Sequence, residues 1–320
     1  MPQPTKSAVH IDRPLTNMSV AYIQNTSNFI ANQVFPIVPV QKASDKYFKF
    51  PKAYFYSDEM ALRAPATESK GTGYEVETDS YSTDLWALHH NIADEVRDNQ
   101  DQPLSADRTA MQFLTQKAFI RQEKIFAQNY FTTGIWTGSD TGNDVDLTAA
   151  KWSSDTSTPI KNVDDQKEAM REKTGFEPNK LVVSSKVHKA LKNHPEIIDR
   201  VKHTQLGVVT KELLAQMFEV DHYIVAKATH NIAKEGATAD MNMILGDNAL
   251  LCYAPQSAGI EIPSAGYIFP WVGHIGASEY GHKFYKFRMD HLKADRLEIE
   301  MAFDMKQVAP DLGVYFINVL

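Results

Sequence analysis

Between Ser105 and Phe131 the chain contains neither glycine nor proline, so nothing in that stretch breaks a helix of roughly seven turns at the standard pitch. Pro103 precedes Ser105, whose hydroxyl suits an N-cap, and Asp107 falls in the first turn, where the helix dipole favours a negative charge. At about 100° per residue Met111, Leu114, Ala118 and Ile125 share one stripe, with Phe119, Phe126 and Tyr130 on a second stripe beside it. A broad flank of this helix must therefore be covered. Lys117, Arg121, Lys124 and Gln128 gather on a third side; this basic face reads first as solvated and second as a contact for an acidic neighbouring surface.

What lies before the helix is extended. Pro2, Pro4, Pro14, Pro36 and Pro39 punctuate the first 45 residues, and each pushes its predecessor toward extended geometry. That segment reads as an arm with one short helix around Met18 to Gln33. In VFPIVPV, Pro36 and Pro39 remove backbone donors where a sheet needs them, so the arm is expected to stay out of its own subunit's sheet and bond to another. Two strand-like runs follow, Lys46 to Tyr56 and Gly73 to Glu95. In the second, Tyr74, Val76 and Thr78 alternate with Glu75, Glu77 and Asp79. With the polar, Pro- and Gly-bearing segment between them, they predict a long hairpin with a wide tip. Two strands alone are marginal in water, and Tyr47, Phe48, Phe50, Tyr54, Phe55 and Tyr56 supply aromatic area of the kind enriched at interfaces.

After a Gly/Ser/Thr/Asp-rich break at 132–159 the texture changes to short alternating elements. VDDQKEAMREKTG predicts a helix ending at Gly175, NKLVVSS a buried strand, SKVHKALKNH and TKELLAQMF helices, and HYIVAKAT and NMILGDNALLCYAP strands. At the end of the chain Leu297, Ile299, Met301 and Phe303 alternate with Arg296, Glu298, Glu300 and Ala302. APDLG then turns the chain into VYFINVL, and together these predict a terminal hairpin with one apolar face lying on the long helix.

The search for chemistry finds no reactive constellation. Of the 11 histidines, adjacent His89 and His90 point to opposite faces of a strand, and His188 and His194 stand on separate sides of a helix. Neither an HExxH motif nor a Cys/His cluster occurs, so no metal is expected. Carboxylate pairs such as Glu298/Glu300 fall on the solvated side of their strand. GASEYG approaches the nucleophile elbow around Ser278, but Tyr280 stands in place of the second glycine. Phosphate-cradling motifs are missing as well. Cys252, the single cysteine, lies in an apolar run and reads as a small core residue. With 320 residues, 43% of them hydrophobic, the chain has ample core, and its net charge of −7 offers no bulk attraction to a phosphate backbone or an anionic membrane. No signal-peptide core or bilayer-length apolar stretch appears in it, so we expect a soluble protein made in a reducing cytosol. Neither cofactor nor catalysis is expected.

The order of these parts resembles the major capsid proteins of tailed bacteriophages, an α+β architecture known as the Hong Kong 97-like fold. NQVFPIVPVQKASDKYFKFPK, RAPATESKGTGYEVE, NKLVVSSKVHKALKNHPEIIDRVK and ADRLEIEMAFDMKQVAPDLGVYFINVL carry the likeness, which spans nearly the whole chain. It implies an N-terminal arm at 1–45, an extended loop (the long β-hairpin) at 46–92, a peripheral domain with a spine helix at 93–150 and 291–320, and an axial domain at 151–290. It further implies self-assembly as hexamers and pentamers into the icosahedral head shell of a virion. That shell encloses DNA without reading its sequence, with no membrane and with a portal and a decoration protein as further partners. Because the arm begins almost at once, a separate scaffolding protein is expected. Candidate inter-subunit contacts are Pro36, Pro39, Phe48, Phe50, Tyr54, Phe55, Arg63, Lys70, Lys117, Arg121 and Lys124. Some members of the family crosslink through a lysine of the extended loop. Lys70 lies in that region, but no partner asparagine can be named, so the chemistry is not carried over. Two readings compete: an encapsulin-type nanocompartment shell of the same fold, and a hydrolase using Ser278 or Cys252. A small-ligand module in the middle region has no polar signature to support it.

Overall fold

The structure, a computed structural model, describes residues 23–100, 105–202, 209–259, 262–275 and 282–320. Its long helix runs Ala106–Tyr130. Ser105 caps it as predicted, accepting from the Arg108 amide at 3.5 Å, and the Gln100 side chain accepts from the Ala106 amide at 2.7 Å. The buried line is Ala110, Leu114, Ala118, Phe126 and Tyr130. Met111 was expected on that line but is 42% exposed; Ala110 takes its place, because the small side chain lets the helix lie closer to the sheet.

Thirteen strands are described. In the first half stand β1 (Ser44–Lys49), β2 (Glu77–Ser82), β3 (Asp84–Ala93), β4 (Val145–Asp146), β5 (Lys180–Ser184) and β6 (His222–Ala226). Then follow β7 (Thr229–Asn231), β8 (Met241–Met243), β9 (Ala249–Cys252), β10 (Gly266–Pro270), β11 (His282–Met289), β12 (Ala294–Gln307) and β13 (Gly313–Ile317). The long helix packs on β12, whose 14 residues pair antiparallel with β3, β10 and β11. Since β3 and β11 both pair with residues 294–301, they must lie on opposite edges, and β12 is the central strand. Its predicted alternation holds: Leu297, Ile299, Met301 and Phe303 are buried and join the core beneath the helix.

A second, mixed sheet runs β4-β13-β9-β5-β6. Strand β5 and strand β9 are buried at every residue, because both faces of this sheet are covered; in β5 the burial extends to Lys180 and Ser184 at its ends. Val182, Leu250, Cys252 and Tyr315 face the long-helix core. Leu181, Val183, Ala249, Leu251, Val314 and Phe316 face a second core, closed by the helices Pro159–Thr174, Ser185–Lys192, Pro195–Lys202 and Lys211–Met217. The predicted helix end at Gly175 is an αL cap with φ of +73°.

Three expectations are corrected. The terminal hairpin does not form, because β13 leaves β12's sheet for the second one, antiparallel to β9 and parallel to β4. The reason lies in GVYFI, where successive residues are apolar; a strand with one solvated face would strand half of them in water. The run from Gly73 to Glu95 is likewise two strands broken at Thr83: β2 pairs with β1, whereas β3 joins β12. Finally, the proline-bearing arm does lie on its own subunit's sheet. Ile37 and Val40 bridge in parallel to Ile268 and Trp271 beside β10. The amides of Val38 and Val40 donate to Ile268 O at 2.8 Å and Pro270 O at 3.0 Å. Pro39 occupies the position between them, whose missing donor would point away from the sheet, while Pro36 opens the run and its carbonyl accepts from the Ile268 amide at 3.1 Å, so the segment is an edge strand that Pro39 protects on its outer side. The helix expected over Met18 to Gln33 lies partly outside the described residues; within them it is a 3-10 turn at Thr26–Asn28 and a single helical turn at Ala31–Val34.

This register makes a test. Val38→Pro removes a ladder donor and orphans Ile268 O, and should cost about 1–3 kcal/mol, whereas Pro39→Val should stay within about 0.5 kcal/mol of the parent. Urea midpoints of the two variants measure it; equal midpoints would refute the pairing.

Candidate assembly surface

The hairpin formed by β1 and β2 is fastened at its root. Asp79 accepts from Lys306 Nζ at 2.8 Å and from the Tyr47 hydroxyl at 2.9 Å; the hydrogen bond from Lys306 is the main reason its carboxyl is pulled down to about 2. Lys306 also donates to Ser80 O. Tyr47 and Tyr81 stack on Phe269 of β10 with ring centroids at 5.9 and 4.9 Å, and Asp304 of β12 accepts from the Ser82 amide at 3.1 Å. Near the outer end, Tyr56 donates to Thr174 O at 2.7 Å and Lys52 pairs with Asp311 at 2.6 Å. A Cβ on Gly175 would stand 2.6 Å from the Tyr56 hydroxyl oxygen, so glycine is needed there for contact as well as for its positive φ.

Beyond these anchors the loop is bare. No helix or strand occurs between Tyr56 and Glu77, and Met60 and Leu62 are 97% and 105% exposed. Phe48, Phe55 and Tyr74 are exposed too, and Phe50, Phe55 and Tyr74 cluster only with one another, at 5.9–6.2 Å. Large apolar side chains standing free on one projection mark an interaction surface. Beneath the projection an open cleft of about 2100 Å³ is bounded by Pro36, Val38, Phe50, Phe55, Tyr267 and Phe269.

Of the residues singled out in the sequence, Phe48, Phe50, Tyr54, Phe55, Arg63 and Lys70 belong to this one projecting element, Arg63 and Lys70 being exposed. Pro36 and Pro39 sit across the cleft, Pro36 buried within its own subunit and Pro39 exposed. Lys117, Arg121 and Lys124 are on another face. Arg121 lies over the Trp86 ring at 4.0 Å and Lys117 over Phe113 at 5.4 Å, so part of the basic stripe is spent within the subunit. Met60 and Leu62 escaped sequence reading because SDEMALRAP is polar around them; two large apolar residues spaced by one in such a segment were the available signal.

Ser278 and Tyr280 lie outside the described residues. Cys252 is fully buried, and burial pushes its thiol up to about 12, which denies it thiolate character. Among the described residues no three His, Cys, Asp or Glu side chains gather as a metal site, and no helix is long and apolar enough to cross a membrane.

Residues 138–263 match the family described as phage major capsid protein E. The major capsid protein of Burkholderia phage BcepMu is 31% identical over 254 residues, 78% of each chain. Among solved structures, a phage-related protein of Bordetella bronchiseptica is similar with a TM-score of 0.69 and 24% identity, covering 92% of this chain and 94% of that one. The mature capsid of bacteriophage PhiM1 is similar with a TM-score of 0.61 at 11% identity, covering 98% of this chain and 93% of that one.

Acid tests the root. Asp79 is depressed from 3.8 to about 2, so the stability it contributes is present above about pH 4 and is lost as pH falls toward 2. The pair is partly exposed, with side chains 28% and 39% accessible, which limits its worth to roughly 1 kcal/mol. Asp79→Asn should therefore lower the urea midpoint slightly at pH 7 and remove part of the loss seen by pH 3; a parent and variant with parallel acid profiles would contradict this anchor.

Proposed function

The chain belongs to the family of phage major capsid proteins, and from that premise we propose how its surfaces build the shell. It is a structural subunit of the phage head, located in the virion, and it assembles with copies of itself in the Hong Kong 97-like fold. The proposal concerns the contacts. The extended loop reaches across to a sister subunit, and its tip, with Met60 and Leu62, is covered there. The observation that carries this is the bare apolar tip itself: side chains of that size standing fully in water, on a segment with no secondary structure, have nothing to lie on in one subunit.

The rest of the reading follows from the same family. Copies form hexamers and pentamers, with 1–45 as arm, 46–92 as extended loop, 93–150 and 291–320 as peripheral region and 151–290 as axial region. Lys117 and Lys124 make no ion pair among the described residues, and they offer a second contact for an acidic neighbouring surface. A separate scaffolding protein, a portal and a decoration protein complete the particle, and DNA is enclosed without sequence-specific contacts, in keeping with the net charge of −7. A relative with 31% identity that is a phage capsid protein favours a DNA-filled head over a nanocompartment. Nucleic acid rather than a cargo enzyme should accompany the native particle.

The experiment compares the parent chain with a Met60→Ser/Leu62→Ser variant by negative-stain microscopy and sedimentation. Both residues are exposed, so the variant's urea midpoint should stay within about 0.5 kcal/mol of the parent. Rings or shells should form from the parent and fail, or form at much lower yield, from the variant. Shells of normal size and yield from the variant would show that the tip is not the contact.

A further inference from the structure

The arm is held to the body by an arrangement that the shell reading does not call for. From Ile23 to Gln41 the chain has no ionisable side chain, yet the single helical turn Ala31–Val34 within it is gripped at both ends by buried charges. At its N-terminal end, Glu123 of the long helix accepts from the amides of Ile30 and Ala31, both at 2.9 Å. At its C-terminal end, Lys180 of β5 donates to Val34 O at 2.6 Å and Gln33 O at 3.4 Å. Glu123 is 0% exposed and Lys180 5%. The signs suit the helix dipole, carboxylate at the positive end and ammonium at the negative end. A four-residue helix has no stability of its own, so these partners, with a reciprocal Asn32–Gln122 amide pair at 2.8 and 3.2 Å and a Phe29–Phe119 stack at 5.5 Å, make it.

Neither charge has an ion-pair partner among the described residues, and Glu123 Oε1 has no hydrogen-bond partner at all. Each buried charge therefore depends on the arm's backbone for its compensation. The surroundings of Glu123 can be gone through element by element. Between residues 23 and 41 the arm brings no titratable group. On the long helix, Arg121 is stacked on Trp86 and Lys124 faces His230, beside Thr229, which pairs with Gln24 of the arm. Tyr130 and Cys252 are held neutral by burial, and Lys180 stands at the far end of the helical turn. His282 of β11, edge-on to Phe119 at 5.5 Å, is itself held neutral by burial, and among the described residues no cation is in a position to favour the carboxylate.

We propose that Glu123 and Lys180 are positioning residues for the arm, and that docking of the arm takes up a proton at Glu123, so the arm is held more tightly in mildly acidic than in neutral solution. This inference concerns the single subunit and does not rest on the shell contacts proposed above. Burial raises Glu123 from its ordinary 4.5 to about 7, against the lowering effect of the two amides; with the arm lifted, the carboxyl faces water and returns toward the ordinary value. A group whose docked value lies above its free value loses its contribution as pH rises through that interval. Docking should therefore weaken by up to tenfold per pH unit between about 4.5 and 7, and be level above and below.

Amide hydrogen exchange on the full chain reads this directly, with protection factors for 29–35 corrected for the intrinsic pH dependence and 180–184 as the internal reference. The parent should lose protection in 29–35 by roughly fortyfold between pH 5 and pH 7 and only about twofold more by pH 8, while the reference does not move. Glu123→Gln should abolish the slope, His230→Gln should retain it, and Lys180→Met should lower protection at every pH with the slope intact. A flat parent profile, an unchanged slope in Glu123→Gln, loss of the slope in His230→Gln, or full protection in Lys180→Met would each overturn the proposal. Should Glu123→Gln not fold, the parent and His230→Gln profiles still decide it.

Discussion

Burial of one face of β12 beneath the long helix is the contact on which the other parts are referenced. Leu297, Ile299, Met301 and Phe303 meet a helix line that is small at its start, with Ala110 and Ala118, and large at its end, with Phe126 and Tyr130. The large end is fixed by more than packing. Tyr130 donates to Tyr267 O at 3.2 Å, Trp136 donates to Tyr130 O at 2.8 Å, and a Cβ on Gly266 would come within 2.9 Å of the Tyr130 ring. The same corner then passes the chain to the second sheet. Gly313 opens β13 directly against Trp136, where an added Cβ would fall 2.1 Å from the indole. An alanine there has to displace a fully buried ring, so the crossing between the two sheets is a steric fact about two glycines and two aromatic rings.

From that corner the difference in solvation between the sheets follows. β12 has polar residues on its outer face and can tolerate water there, whereas β5, β9 and β13 cannot. Their sheet must be covered twice, once by the long-helix core and once by the four shorter helices. The arm contributes to the first covering: Val34 and Phe35 are buried in the long-helix core, and Lys180 reaches its helical turn from the β5 face that also carries Val182. An arm expected to stay out of its own subunit's sheet and bond to another is, over the described residues, part of its own subunit's seal.

What could be read in advance follows from how local each determinant is. The Ser105 cap, the Gly175 cap, the buried β5 and the alternation of β12 rest on neighbours in sequence, and all are where the sequence puts them. β13 went to an unexpected sheet because the apolar run GVYFI needs both faces covered, and which sheet offers that is decided by chain far from it in sequence, β9 and β4. β11 was missed because HKFYKFRM exposes much of both faces and carries no strong period, and β10 because Gly266 and Pro270 read as breakers. For Pro39 the chemistry was right and the geometry was not: a missing donor excludes pairing on one side of a strand only, and Pro36, at the start of the run, pairs through its carbonyl alone. Glu123, inside the polar run RQEK, carries no local sign of burial. Its environment is made by an arm some ninety residues upstream, and only the tertiary structure brings the two together. On the loop, the aromatic residues were legible from their density, whereas Met60 and Leu62 were hidden by charged neighbours.

A six-residue ribbon is too short to hold its own direction in water, so the aim of the loop is set at its root. That root is made by Lys306 and Asp304 of β12 and Phe269 of β10, the strands against which the helix and the arm are also placed. Helix, arm and loop therefore share one frame, and a displacement of β10 relative to β12 would carry the arm's bridges at Ile37 and Val40 and the stacked Tyr47 and Tyr81 along with it. For the tip contact proposed above, a common frame converts a fixed core into a fixed reach: the tip is free of secondary structure, but the point from which it departs is fixed at its root.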